Sequence, residues 1–208
     1  MKIDVVNNYL EELFPDARCE LNYNKDYELL IATVLSAQTT DKRVNSVTSI
    51  LFDKYNTLYK LKNAPFEDVS NIIRSIGSFR KKASYIKEIA RILDDDYDGV
   101  VPNNRKALES MPGVGRKTCN VVLSNIYDVP NIAVDTHVER VSKRLGLAKE
   151  NDDVREVEEK LKRKFKREVW SRRHHQLVLF GRYHCKAIAP MCDFCKLKDI
   201  CKYFKKKA

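Results

Sequence analysis

The chain has 208 residues, enough for one large domain or two smaller intergrown ones with a substantial core. Gly and Pro number only 6 each, and no apolar run is long enough to span a bilayer, which argues against a disordered, β-rich or membrane-embedded protein. The net charge of +10 is lopsided: residues 154–208 carry 17 Lys and Arg against 6 Asp and Glu, whereas residues 1–153 carry 22 against 23. A charge run is ordinarily a solvated face, but a one-sided basic region is also the footprint of a protein that binds phosphate backbone.

Helical periodicity runs through nearly every segment. Tyr9, Leu10, Leu13 and Phe14 close a short first helix before Pro15. Tyr27, Leu30, Ile31, Val34 and Leu35 form an apolar stripe at three-to-four spacing, and Val44, Val47, Ile50 and Leu51 form another. Phe66, Val69, Ile72, Ile73 and Ile76 predict a helix opened by Pro65 and ended by Gly77. Ala83, Ile86, Ile89, Ala90 and Leu93 follow, then helices over 116–127, 136–145, 154–165 and 170–183. No stretch alternates at period two, and no fixed repeat or low-complexity linker interrupts the pattern. The fold class expected is all-α.

Residues 108–123 read LESMPGVGRKTCNVVL. A short helix ends at Met111–Pro112, Gly113 and Gly115 bracket Val114, and a second helix starts near Arg116. Glycines permit positive φ and close approach of backbone to a ligand. The start of the next helix presents N–H groups and the positive end of its dipole, which together suit a phosphate. A plain connection with a glycine cap is the simpler alternative, but Leu108, Met111, Val114 and Val122 are placed to lock the two helices as a hairpin.

Four of the six cysteines lie at Cys185-x6-Cys192-x2-Cys195-x5-Cys201. The N-terminal MKIDVVNNYLEEL has no apolar core of signal-peptide length, and a chain of this size needs no disulfide staples, so a thiolate metal centre is the expectation. A zinc site is usually built from two close ligand pairs; only Cys192 and Cys195 form one here, which favours a [4Fe–4S] cluster over zinc. Cys19 and Cys119 read as small buried side chains, and His137, His174, His175 and His184 as structural or surface residues.

LESMPGVGRKTCNVVL resembles the helix–hairpin–helix of the endonuclease III family of DNA glycosylases. IAVDTHVERVSKRLGL at 132–147, LIATVLSAQTTD at 30–41 and the cysteine spacing at 185–201 resemble its other motifs, so the likeness covers roughly 20–204. The resemblance implies a two-lobed all-α fold: a six-helix barrel over 21–130 containing the hairpin at 108–123, and a helical domain joining 1–20 to 131–208 that carries the [4Fe–4S] loop. It implies a monomeric, cytoplasmic, nucleoid-associated base excision repair enzyme, without membrane attachment. Its partner would be double-stranded DNA holding damaged bases or abasic sites, with the damaged base flipped into a cleft between the lobes. The expected substrates are oxidised pyrimidines, removed by glycosylase chemistry followed by β-elimination at the abasic site.

By the same resemblance Lys117 is the nucleophile that attacks the sugar C1′ and leaves a Schiff base. The amine must be neutral to attack. Its place in the first turn of a helix, the neighbouring Arg116 and partial burial in a closed site all favour the neutral form. Asp135 matches the catalytic aspartate. Thr136 and Glu139 have the spacing of a capping box, so Thr136 is expected to cap the helix and leave Asp135 without capping duty; the alternatives are Asp135 as the cap itself or as a partner of Arg140. Gln38 matches a glutamine that enters the space left by the flipped base. Gly113, Val114, Gly115 and Arg116 would contact DNA backbone.

Two departures stand out. Ser78 occupies the place of an apolar wedge, with Phe79 as substitute. Between Cys185 and Cys192 only Lys186 is basic, with Lys196, Lys198 and Lys202 as candidates to compensate. Competing readings are the adenine-mismatch branch, which needs a glutamate where this chain has Thr33, a non-catalytic helix–hairpin–helix module, and a zinc-stabilised adaptor.

Overall fold

The computed structural model describes residues 2–206, and among these the chain forms twelve α-helices and no strand. They are α1 (Lys2–Leu13), α2 (Asp26–Leu35), α3 (Asp41–Lys54), α4 (Leu58–Lys62), α5 (Phe66–Ile72), α6 (Phe79–Asp96), α7 (Arg105–Glu109), α8 (Arg116–Ile126), α9 (Thr136–Leu145), α10 (Val154–Lys164), α11 (Trp170–Leu179) and α12 (Lys202–Lys205). A π-turn over Phe180–His184 continues α11. None of the described helices is long and apolar enough to cross a membrane. The chain divides into two compact units: Glu20–Tyr127, and the stretch up to Cys19 together with everything from Asp128 onward.

In the Glu20–Tyr127 unit, α2 is the central helix. Every residue from Tyr27 to Leu35 is buried, the polar Glu28 and Thr33 included, as befits a helix that packs against α3, α6 and α8 at once. Its polar groups are satisfied locally: Glu28 accepts from the amides of Asn24 at 2.7 Å and Lys25 at 3.3 Å, and Thr33 Oγ1 donates to Leu29 O at 2.7 Å. On α6 the expected stripe of Ala83, Ile86, Ile89, Ala90 and Leu93 is wholly buried.

Three local expectations change. On α3 the buried face is Val44, Val47, Thr48 and Leu51, while Ile50 is 56% exposed; at about 100° per residue Thr48 completes the face and Ile50 falls off it. The Thr48 hydroxyl donates to Val44 O at 3.0 Å, so it enters the core at no cost in lost hydrogen bonding. Helix α5 stops at Ile72 instead of running to Gly77, and Ile73 and Ile76 are buried from the turns that follow. Cys119 is buried, but Cys19 is only partly so.

The other unit packs α1, α9, α10 and α11 around Leu10, Val138, Val141, Leu161, Leu177 and Phe180. Helix α1 is pinned to α11 by polar contacts: Arg173 Nε donates to Asn7 at 2.9 Å, Arg173 pairs with Glu11 at 3.0 Å, and Gln176 donates to Phe14 O at 3.0 Å. Tyr9 lies edge-on to Phe180 and its hydroxyl donates to Phe194 O at 3.3 Å, so the first helix also supports the cysteine loop.

Leu51→Ala is expected to cost about 2–5 kcal/mol by opening a cavity, whereas Ile50→Ser should stay within about 0.5 kcal/mol of wild type. Paired urea melts check this, and equal losses would contradict the observed face of α3.

Candidate functional site

The hairpin is built from α7, the turn 110–115 and α8. Asn104 caps α7 by accepting from the Ala107 amide at 3.0 Å. Leu108, Met111, Val114 and Val122 are buried and hold the two helices together. Gly113 has φ +76°, and a Cβ there would meet the Tyr85 ring at 2.7 Å and Val34 at 3.0 Å. Glycine is therefore demanded twice, by conformation and by space, and the turn sits against α2 and α6. Gly115 differs: its backbone is extended and the space beside it open, so it is not needed for positive φ. What it does is leave the start of α8 without a capping side chain. Arg116 and Lys117 are both exposed in the first turn of α8, so the partial burial expected for Lys117 is absent from the chain by itself.

Gln38 and Ser78 are exposed residues in left-handed backbone, with φ of 57° and 56°. Non-glycine residues pay about 1–2 kcal/mol for this conformation, and such outliers concentrate at functional turns. Ser78 is the exposed tip immediately before α6, while Phe79 is the first residue of that helix and partly buried.

Asp135 is the N-cap of α9. Its Oδ1 accepts from the amides of His137 and Val138, both at 2.9 Å, and Thr136 is the first helical residue. The cap thus lies one residue earlier than expected and the Thr136–Glu139 capping box does not form, since Val138 at the third helical position has no polar side chain to return a bond. Asp caps at least as well as Thr, and the buried Ile132, Ala133 and Val134 bring the chain to the helix one residue earlier. Glu139 instead pairs with Lys143 at 2.6 Å. The carboxylate is consequently held in a fixed direction at a helix start, half-buried rather than at large.

Helix α9 also holds the cysteine loop. Arg140 Nη2 donates to Gly181 O at 2.7 Å and Cys185 O at 3.3 Å. Arg144 donates to Lys186 O at 2.6 Å, to Ala187 O at 3.0 Å and to Cys185 Sγ at 3.5 Å, and its guanidinium lies over the Tyr203 ring at 4.2 Å. Cys185, Cys192, Cys195 and Cys201 all line one small pocket whose other walls include Leu145, Phe180, Pro190, Met191 and Phe204. Burial pushes the Cys195 thiol up to about 11, with the neighbouring Cys185, Cys201 and Cys192 adding to the effect. Burial likewise raises Cys185, against the pull of Arg144. Among the described residues no group of three or more Cys, His, Asp or Glu is arranged around a single metal ion. A gathered set of thiols in an apolar pocket, flanked by two guanidinium groups, has the donor chemistry for a thiolate-bound cluster.

The basic residues proposed to compensate are all exposed. Lys196 pairs with Glu12, Lys198 borders the thiol pocket, and the Lys202 chain lies along Gly146. Between Cys185 and Cys192 the loop shows exposed Lys186 beside Ile188, which is 87% exposed. Arg140, offered by the sequence only as a partner of Asp135, also donates to the backbone of the cysteine loop, while neither Arg144 nor the buried Lys82 has a role assigned from sequence. Lys82 did carry a signal: it falls on the apolar face of α6, three residues after Phe79 and four before Ile86.

The model of the HhH-GPD superfamily of base excision DNA repair proteins matches residues 31–167, which defines the class. Endonuclease III of Bacillus subtilis (strain 168) is 47% identical over 206 residues, spanning 99% of this chain and 94% of the relative. That of Escherichia coli (strain K12) is 44% identical over 197 residues, spanning 95% and 93%. Among solved structures, a trapped endonuclease III–DNA covalent intermediate, an estranged-adenine complex, is similar with a TM-score of 0.94 at 49% identity, over 100% of this chain and 98% of that one. A thermostable thymine-DNA glycosylase reaches 0.86 at 26% identity, over 99% and 97%. The chain belongs to the endonuclease III family, and the all-α helix–hairpin–helix glycosylase fold implied by its motifs is the fold it has.

Because Asp135 caps α9, Asp135→Ala should cost about 1 kcal/mol of stability, while Asp135→Asn, which caps comparably, should cost far less. Thermal melts of the two variants check this; equal loss would mean that the cap contributes nothing.

Proposed function

We propose that this chain is a bifunctional DNA glycosylase and abasic-site lyase of base excision repair, acting on double-stranded DNA with Lys117 as nucleophile and Asp135 as its electrostatic and acid–base partner. The observation that carries this reading is Lys117 itself: an exposed amine in the first turn of α8, directly after a turn built by Gly113, in a chain so similar to a protein trapped covalently on DNA. The start of α8 receives backbone phosphate, with Gly113, Val114, Gly115 and Arg116 at the contact. Gln38 enters the space of the flipped base, and Ser78, with Phe79 behind it, stands at the wedge position. Lys186 gives the cysteine loop its one basic contact before Cys192.

Lys117 Nζ attacks C1′, the N-glycosidic bond breaks, and the base leaves with its electron pair and is protonated. Asp135 takes a proton from the attacking amine and stabilises the positive charge that develops at C1′. The C1′–O4′ bond of the sugar then breaks, O4′ takes up a proton and the open-chain Schiff base on Lys117 makes the C2′ proton acidic; its loss expels the 3′ phosphate and nicks the strand. Oxidised pyrimidines such as thymine glycol, and abasic sites, are the substrates proposed. The enzyme works as a monomer on chromosomal DNA in the cytoplasm. The barrel lobe expected over 21–130 is assigned to the Glu20–Tyr127 unit, which holds α2 to α8, and the cluster-bearing domain to the remainder.

Cys185, Cys192, Cys195 and Cys201 hold a [4Fe–4S] cluster, which cross-links the loop once bound; Arg140 and Arg144 offset its negative charge. The adenine-mismatch alternative is disfavoured by Thr33, which is buried and bonded to Leu29 O at 2.7 Å where that branch needs a glutamate.

Lys117→Gln is expected to abolish borohydride trapping on abasic DNA while binding to an uncleavable abasic analogue persists; trapping at the wild-type rate would assign the nucleophile elsewhere. Asp135→Asn should slow excision by about 10²–10⁴-fold and impair trapping on a preformed abasic site less. Freshly isolated protein should be brown and contain about four iron atoms per chain, and stoichiometric zinc without iron would refute the cluster.

A further inference from the structure

Lys82 is 7% exposed, yet none of its partners is a carboxylate. Its ammonium donates to Leu35 O at 2.9 Å and Ala37 O at 2.6 Å, with Thr39 Oγ1 outlying at 3.5 Å. These oxygens belong to the C-terminal end of α2 and to the turn that carries Gln38. Lysine has three donors, and a helix C-terminus presents carbonyls that lack intrahelical partners together with the negative end of the dipole. A buried cation is thereby accommodated without a counter-ion. Burial alone lowers its pKa, as expected where no anion opposes it.

The same residue reaches the second turn. The Lys82 amide donates to Ser78 O at 3.0 Å, closing the start of α6 behind the left-handed Ser78. Through side chain and backbone, Lys82 is therefore bonded to both strained turns of this unit that carry DNA-reading candidates. Lys87, one and a half turns further along α6, uses the same chemistry elsewhere: its ammonium donates to Lys62 O at 2.8 Å, at the end of α4, and to Ala64 O just beyond it, away from either turn. It provides an internal comparison.

We propose that Lys82 is a positioning residue for base excision: its buried ammonium clamps the Ala37–Thr39 turn so that Gln38 is presented to DNA from left-handed backbone. The proposal rests on the reading of Gln38 given above. Without the clamp, two carbonyls lose their donor and the turn relaxes towards ordinary backbone, drawing Gln38 away from the duplex.

A double-mutant cycle tests this. Single-turnover excision is measured on a duplex carrying one thymine glycol for wild type, Lys82→Met, Gln38→Ala and the double variant, each well below its melting temperature. Lys82→Met should lower excision by about 10-fold or more, and should have no further effect once Gln38 is Ala. Hydrogen exchange at the Thr39 amide, which donates to Ser36 O at 3.0 Å, should quicken in Lys82→Met and stay unchanged in Lys87→Met. Lys82→Gln, which keeps a shorter amide donor, carries the cycle if the Met variant does not fold. An equal loss from Lys82→Met in both Gln38 backgrounds, or unchanged exchange at the turn, overturns the proposal. Excision by Gln38→Ala at the wild-type rate removes the reading of Gln38 itself, and the proposal falls with it.

Discussion

A helix buried on every side has to find donors for the carbonyls at its C-terminal end from within the protein. Helix α2 meets that constraint with Lys82, and much of the candidate DNA-reading surface follows from it. The chain leaves α2 through a strained turn bearing Gln38, α6 begins in a second strained turn at Ser78, and the hairpin glycine Gly113 is pressed against Val34 of α2 and Tyr85 of α6. Three loops with different sequences are thus referred to the same two rigid helices. Site residues carried on turns gain precision when helices hold both ends of each turn.

The other unit uses one helix in a comparable way. Helix α9 begins at a carboxylate that caps it, and Arg140 at its middle and Arg144 in its last turn grip the backbone of the cysteine loop. The cap places negative charge at the positive end of the helix dipole, and Lys143 and Arg144 in the last turn place positive charge at the negative end, so both ends of the helix are electrostatically favourable. A carboxylate so held would spend little freedom on orientation in the electrostatic role proposed for it.

The basic charge of the final quarter is distributed less simply than its total suggests. Lys160, Lys162 and Lys196 are paired with Asp152, Glu158 and Glu12, and Arg173 is buried against Glu11. Exposed pairs such as Lys196–Glu12 contribute little to stability and can exchange one anion for another. The loop itself presents Ile188 and Phe194 to solvent, so any grip on DNA there depends on few charges.

The sequence by itself determined the helical class, the order of the helices, the hairpin, the gathered cysteines and the candidate Lys117 and Asp135. Those features are local: they depend on spacing along one helix, on a glycine between two helices, or on cysteines within seventeen residues of one another. Only the tertiary structure decided which of two adjacent capping residues ends the approach to α9, because that turns on where Ile132 to Val134 become buried. It also decided that Thr48 rather than Ile50 faces the core, since an apolar residue need not be inside and a hydroxyl bonded to its own helix can be. Lys82 shows the limit most clearly. Its place on the apolar face of α6 points it inward, but the carbonyls that accept its ammonium come from a helix forty-seven residues away in the chain, which no local pattern contains.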